Sequence, residues 1–444
     1  MEKLKSISFY LFFALLAYMP LHIFLSTWLG SSFGVLPLAK TLKDVVLVIG
    51  FLLACGASVQ QVWFKDLLKD KLVWLIAAYA GLTLLLALLK PTDQDAEVLG
   101  VVYNLRFLLY FLYGLFLARL YPTKNTLTVA VKVVLIVGIP VLLFGVLQYT
   151  LLPNDALTHV GYTRSNGVLP AFFIDDKPDL ERVMSTVRDP NSFGSYLIII
   201  GSLALAYWLV IKNKDSKKTL VGIGLLTLLC LWFTFSRSAW LGTLLSVSLL
   251  LLMHLKIKGK LGANKKVLII LSALLLSGVA ALYPLRNTYF VKNVIFHADE
   301  STVLEDPNEI RLRRWQASVT AATLQPDGFG PGTAGLASIR NEVQGTVLNE
   351  NYYLQILHEV GVVGLLLFLS IFIVVLKRLY GMVGTDPAAL ALLAAGVGLL
   401  LTNFLVHIWS NEAVAYTWWG LCGLVLFASN EKATKLAKTV GTRR

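Results

Sequence analysis

Arginines punctuate two long polar stretches and one tight turn of an otherwise apolar chain: Arg164, Arg182, Arg188, Arg237, Arg286, Arg311, Arg313, Arg314 and Arg340. A guanidinium keeps its charge at any ordinary pH and presents a planar fork that takes phosphate oxygens two at a time. The chemistry suggested is recognition of a phosphate or diphosphate. The plainer alternative is pairing with acidic neighbours such as Asp189, Glu305, Asp306 and Glu309. Arg237 stands apart, in Phe233-Thr-Phe-Ser-Arg-Ser-Ala-Trp240 between two apolar runs. A charge at membrane depth costs ~2.5–3.5 kcal/mol on insertion scales and marks a functional position unless it merely snorkels to the interface.

Three further groups follow. In Arg311-Leu-Arg-Arg-Trp315 a helix would put Arg311, Arg314 and Trp315 on one face. That face is expected along the membrane interface, arginines toward headgroups and Trp315 at the boundary. The glycines of Pro326-Asp-Gly-Phe-Gly-Pro-Gly332 permit a tight turn and close backbone approach to a ligand, although no lysine or helix start is placed as in a nucleotide loop. Asn349-Glu-Asn-Tyr-Tyr353 stands at the start of an apolar helix. There Glu350 is a candidate general base and Asn351 a candidate to orient a sugar hydroxyl; a carboxylate at a helix start is also stabilising through the dipole alone. His358 lies two turns farther in, where packing competes with chemistry, and Gly361 and Gly364 suit close helix contact.

The elements that must position these groups are membrane helices. The chain is 57% hydrophobic and 15% charged, against roughly a quarter charged in soluble domains. Runs long enough for a ~30 Å core are read at 8–28, 35–54, 72–89, 99–118, 127–150, 195–211, 219–235, 239–254, 267–284, 352–376, 388–407 and 412–428. The stretch 219–254 is long enough to be two helices rather than one. The first run is too long for a cleavable signal and no small-residue cleavage site follows. Cys55, Cys230 and Cys422 lie in or beside spans, which excludes a disulfide framework or a metal cluster.

A net charge of +13 raises nucleic acid as a partner, but its placement argues against one. Lysines gather in alternate loops, at 65–71, 212–218 and 256–266, joined by Arg119, Lys124, Lys377, Arg378 and both tails. The loops around 30, 92, 237 and 410 are nearly bare of basic residues. The positive-inside rule then puts both termini in the cytoplasm and the segments 151–194 and 285–351 outside. Long ordered loops are commonly functional. The expectation is one polytopic domain over 1–444, all-α, with the larger outward loop carrying the site.

There is no Gly-x-Ser-x-Gly elbow, no His-Glu-x-x-His, no nucleotide-binding lysine loop and no dinucleotide fingerprint. An already activated, lipid-linked donor on the outside fits better than a nucleotide donor inside. A solute transporter or anion channel is the competing class. Few ionisable residues within the spans, and no visible internal repeat, speak against it. A non-catalytic membrane scaffold is the third reading.

Taken together, Asp189-Pro-Asn-Ser-Phe-Gly194, Phe235-Ser-Arg237-Ser, Arg311-x-x-x-Trp315, Gly328-Phe-Gly-Pro-Gly332, Asn351-x-Tyr-Leu-Gln355 and Gly361-Val-Val-Gly364 resemble one family. It is the O-antigen ligase and polymerase superfamily, membrane glycosyltransferases of bacterial surface polysaccharides. The resemblance covers about 185 to 376. It implies about a dozen helices in a GT-C-like arrangement with a large outward loop between helices 9 and 10. It also implies a metal-independent transferase of the cytoplasmic membrane without a cofactor. The donor would be a glycan on polyprenyl (undecaprenyl) diphosphate, the acceptor a glycan or a lipid. Membrane lipids, a flippase and a chain-length regulator are the further partners it suggests. Two family arginines that engage the diphosphate match Arg237 and Arg311. Arg188, Asn191, Arg314, Asn351 and Tyr352 are the expected substrate contacts. The ligase branch has a histidine, then Asn, Ser or Gln, nine residues and Gly-x-x-Gly. Here Glu350 stands where that histidine would be, which favours a polymerase with Glu350 as base and inversion at the anomeric carbon.

Overall fold

The computed structural model describes residues 1–122, 124–174, 177–259 and 307–428. The expected span at 267–284, with Arg286, Glu305 and Asp306, lies outside the described residues. The helices are α1 (Glu2–Tyr18), α2 (His22–Phe33), α3 (Leu36–Ser58), α4 (Val62–Leu67), α5 (Lys71–Leu89), α6 (Gln94–Leu120), α7 (Lys124–Thr150), α8 (Pro190–Val210), α9 (Lys214–Phe233) and α10 (Arg237–Ile257). After them come α11 (Pro307–Leu324), α12 (Tyr352–Tyr380), α13 (Pro387–Leu405) and α14 (Glu412–Ala428). A short antiparallel hairpin, β1 (Phe173–Ile174) with β2 (Lys177–Glu181), pairs Phe173 with Glu181 and Ile174 with Lys177.

Many helices start where a small polar side chain precedes an apolar run. Asp70, Asp93, Asp189, Asn213, Ser236, Asn351 and Asp386 each accept a hydrogen bond from the first-turn backbone of the helix they open. Such a cap satisfies amides with no helical partner, which matters most where no water is at hand. Nine described helical segments are long and apolar enough to cross a membrane, counting α1 and α2 as one. The stretch 219–254 divides into α9 and α10, broken at Thr234–Ser236. Outside that set fall α3, which carries Lys40, Lys43 and Asp44, and α14, which has 17 residues.

The chain is thus a mostly helical, multi-pass membrane protein. Leu52, Trp74, Leu88, Leu225, Leu366 and Ile373 form an exposed apolar exterior. At the centre α14 packs against α6, where a Cβ on Gly114 would sit 2.6 Å from the Gly420 carbonyl oxygen. Small residues of this kind let membrane helices approach closely. Trp409, Trp418, Trp419 and Phe107 fill the space beside that seam, all fully buried.

Candidate functional site

The connections 151–189, 234–236, 325–351 and 406–411 converge at one end of the bundle, tied by the contacts described next. A strap over 182–189 joins the hairpin to α8. Gln148, at the end of α7, accepts from the backbone of Met184 and Ser185 through its Oε1 and donates to Glu181 through its Nε2 (3.3, 2.8 and 2.9 Å). Ser185 Oγ donates to the Val141 carbonyl at 2.6 Å, and Tyr162 Oη donates to that of Thr186 at 3.0 Å. Burial raises the Glu181 carboxyl above its ordinary value, with the Gln148 amide opposing.

This strap carries two arginines. Arg182 donates to the Thr234 carbonyl (3.1 Å) and to Asn191 Oδ1 (3.0 Å); Ser236 Oγ donates to the same Asn191 oxygen at 2.9 Å. Asn191, expected at substrate, therefore ties the strap to the turn before Arg237. Burial pushes Arg182 down to about 10, with the Asp189 charge opposing and that of Arg237 adding to the effect. The two like charges disfavour each other. Asp189 caps α8 by accepting from Ser192 N at 2.9 Å.

Opposite stands a carboxylate between two guanidiniums. Arg311 donates to Glu350 Oε2 from Nε and Nη2 (3.1 and 2.8 Å), and Arg314 Nη1 donates to Oε1 at 3.0 Å. One helical turn separates the two arginines, so the predicted shared face of α11 exists. Its orientation differs from expectation. The arginines meet protein, and Trp315 Nε1 donates to the Asn349 carbonyl at 2.9 Å while its ring packs edge-on to Phe404. Asn351 and Tyr352 are also placed differently from expectation. Asn351 Oδ1 accepts from Tyr353 N and Leu354 N as the cap of α12, and the Tyr352 ring packs between Phe107 and Phe368. Both are buried.

The glycine-rich segment approaches the chain itself rather than open space. α12 breaks at Gly361, with φ 74° and ψ −174°. The freed carbonyls of His358 and Glu359 accept from Phe329 N and Gly330 N (2.8 and 3.0 Å), and Val362 N donates to the Pro326 carbonyl at 2.9 Å. A broken helix is tolerated in a membrane when its backbone groups are paired in this way. Glu359, fully buried, accepts from Gly332 N (3.0 Å) and Asn104 Nδ2 (2.8 Å). Phe329 stacks on His358 at 4.5 Å, and the buried His358 Nδ1 has no hydrogen-bond partner among the described residues.

The expectation of few charges within the spans needs correction. Glu412 pairs with Arg106 at 3.0 Å and Lys43 at 3.7 Å, while Asp44 lies 3.0 Å from Lys43 and accepts from Tyr416 Oη at 3.1 Å. These charges lie on three helices, Lys43 and Asp44 on α3, Arg106 on α6 and Glu412 at the start of α14. Their mutual pairing is a tertiary fact. Arg188 lies within electrostatic reach of Arg106, Glu412 and Tyr103.

His407, between α13 and α14, went unnoticed in the sequence. Its Nδ1 is buried without a hydrogen-bond partner among the described residues, and the Glu350 and Asp189 carboxylates and the Arg188 guanidinium all act on it. Burial holds the ring below its ordinary value against the two carboxylates, with Arg188 adding to the effect. The only sequence signal was a histidine between two apolar runs. Arg188, Asp189, His407 and Glu350 thus form one electrostatic neighbourhood.

Among the described residues, three that are not glycine have positive φ: Ser185 (53°), Phe235 (47°) and Glu350 (47°). Each lies in or beside an arginine- or carboxylate-bearing segment of this site. Strain of about 1–3 kcal/mol per residue gathers at functional positions held by their surroundings.

No curated protein matches the chain. Residues 222–369 match the family model described as O-antigen ligase, a region that holds Arg237, Arg311, Arg314 and Glu350. Over that region the chain is similar to the O-antigen ligase family.

Proposed function

We propose that this protein extends a bacterial surface polysaccharide by moving glycan from polyprenyl diphosphate to the end of an acceptor glycan. The reaction takes place on the outer face of the cytoplasmic membrane. Counting α3, α14 and the apolar run 267–284 as spans gives about a dozen, in a GT-C-like bundle. The lysine-rich loops then lie inside with both termini, and the site lies outside.

The observation that carries the reading is Glu350 held between Arg311 and Arg314. Forks that grip a carboxylate from two sides suit a diphosphate equally well. A bound donor therefore competes with Glu350 for these arginines, with Arg237 as the further cation. As the arginines turn to the diphosphate, Glu350 is freed to accept a proton. The acceptor hydroxyl oxygen attacks the anomeric carbon and passes its proton to Glu350. The bond from anomeric carbon to phosphate oxygen breaks, and polyprenyl diphosphate leaves with its charge stabilised by the arginines. Attack opposite the leaving group inverts the carbon.

The family description itself favours a second reading, transfer of finished glycan to a lipid. Purified protein incubated with a polyprenyl diphosphate oligosaccharide distinguishes the two. Polymerisation gives a ladder of longer lipid-linked chains from donor alone. Ligation leaves the donor unextended and moves it only when a lipid acceptor is added. A donor left intact in both cases would defeat either reading.

A further inference from the structure

We propose that Asn191 and Arg182 are positioning residues for Arg237: together they lock the turn that presents its guanidinium, and they act on the donor only through it. The proposal rests on the transfer reading above, in which Arg237 meets the donor diphosphate.

Arg237 is the first residue of α10, and the turn before it follows the end of α9. A helix end leaves carbonyls without helical partners. Here the strap supplies donors to them. Val183 N donates to the Phe233 carbonyl at 2.9 Å, and Arg182 Nε donates to that of Thr234 at 3.1 Å. The next residue, Phe235, holds a left-handed backbone with φ 47°. A side chain other than glycine keeps such a conformation only where its surroundings fix it.

The far side of the turn is fixed from α8. Asn191 Oδ1 accepts from Arg182 Nη2 at 3.0 Å and from Ser236 Oγ at 2.9 Å. Ser236 is itself the cap of α10, its Oγ accepting from Ala239 N at 3.4 Å. One amide oxygen thus joins the first turn of α8, the strap and the residue next to Arg237. There is little slack around it. A Cβ on Gly194, one turn along α8 from Asn191, would lie 2.5 Å from the Ala239 Cβ and 3.5 Å from the Ser236 Cβ. Asp189, whose charge acts on Arg182, is engaged by Ser192 through N at 2.9 Å and Oγ at 2.6 Å.

Arg182 works here by shape as well as charge. Its Nε and Nη2 reach two different oxygens, one on the turn and one on α8. A lysine would carry the charge without that rigid fork. The expected consequence falls on Arg237. A cation that grips a diphosphate must stand in place before transfer, and a displacement of about 1 Å can cost about a hundredfold in rate.

The test is a pair of mutant cycles on the purified full chain: Asn191→Ala and Arg182→Lys, each alone and combined with Arg237→Lys. Two quantities are read, affinity for farnesyl diphosphate and single-turnover transfer from a polyprenyl diphosphate oligosaccharide. Each single change is expected to weaken both by about tenfold or more. Added to Arg237→Lys, either is expected to cost no more than about twofold further, because the group it positions is already altered. If Asn191→Ala does not fold, Ser236→Ala, which leaves the bond from Arg182 to Asn191 in place, enters the same cycle. Losses that multiply in the doubles overturn the proposal, since Asn191 or Arg182 would then meet the donor independently. Parent-like behaviour of Asn191→Ala overturns it too, and so does that of Arg182→Lys, which would make charge alone sufficient. A parent that binds farnesyl diphosphate and shows the coupling but transfers nothing defeats the transfer reading alone. One that transfers glycan with multiplying losses defeats the positioning alone. Neither binding nor transfer in the parent overturns both.

Discussion

Glu350 combines a left-handed backbone (φ 47°) with ion pairs to two arginines. Neither feature is needed merely to start a helix, since Asn351 already caps α12. As the proposed base, Glu350 has a role that its amide cannot take over. Glu350→Gln should keep donor binding and lose transfer by ~10²–10⁴-fold in single-turnover assays. Near-normal turnover in that variant, with loss in His407→Gln, would move the base to His407; loss in His358→Ala instead would move it to His358. Arg237→Lys keeps charge without the fork, so it should weaken both donor affinity and rate. The spacing of Arg311 and Arg314 was legible because a helix dictates which residues share a face. Their partner Glu350, 39 residues along the chain, was not. The partners of Asn191, Asn351 and Tyr352 were not legible either: Asn191 meets the Arg182 and Ser236 side chains, Asn351 caps α12 and Tyr352 packs between Phe107 and Phe368.

At the scale of elements, two devices hold the site, and each makes a prediction. The first is the break in α12, where a Cβ on Gly361 would sit 2.5 Å from the Pro326 carbonyl oxygen. Gly361→Ala adds this clash to a positive φ, so it should destabilise the protein by at least about 1–2 kcal/mol and lower activity. A melting temperature equal to the parent's would show that the loop does not depend on the break. The second is the strap. The Glu181 carboxyl is raised by burial. A raised carboxyl lends stability below its unfolded value of about 4.3 that is lost as pH rises through its folded value. Glu181→Gln should therefore be at least as stable as the parent at pH 7.5 and should flatten the parent's stability gain on acidification. Thermal unfolding between pH 4 and 7.5 measures this; a large loss at pH 7.5 would mean that the ionised form is needed. Most helices could be read directly, because apolar runs and their caps are local signals. The glycine-rich segment was read as a loop open to ligand, since glycine permits close approach without saying to what.

At the scale of the molecule, nine described segments long and apolar enough to cross a membrane were legible from hydropathy, whereas the ion pairs among α3, α6 and α14 arise only when the helices assemble. Removing one partner leaves the other charge buried, so Glu412→Ala should cost about 3–5 kcal/mol, read as lost yield or melting temperature. Reporter fusions at 215 and 383 should report cytoplasm, and at 170 and 320 the outside. The central claim is that lipid-linked glycan is consumed on the side opposite the termini. Its most direct test uses proteoliposomes of known protein orientation, with a polyprenyl diphosphate oligosaccharide offered to one leaflet at a time and no nucleotide present. The account predicts longer glycan and free polyprenyl diphosphate only when donor is in the leaflet away from the termini. Extension from donor in the terminal-side leaflet alone, or only when a nucleotide is added, would contradict it.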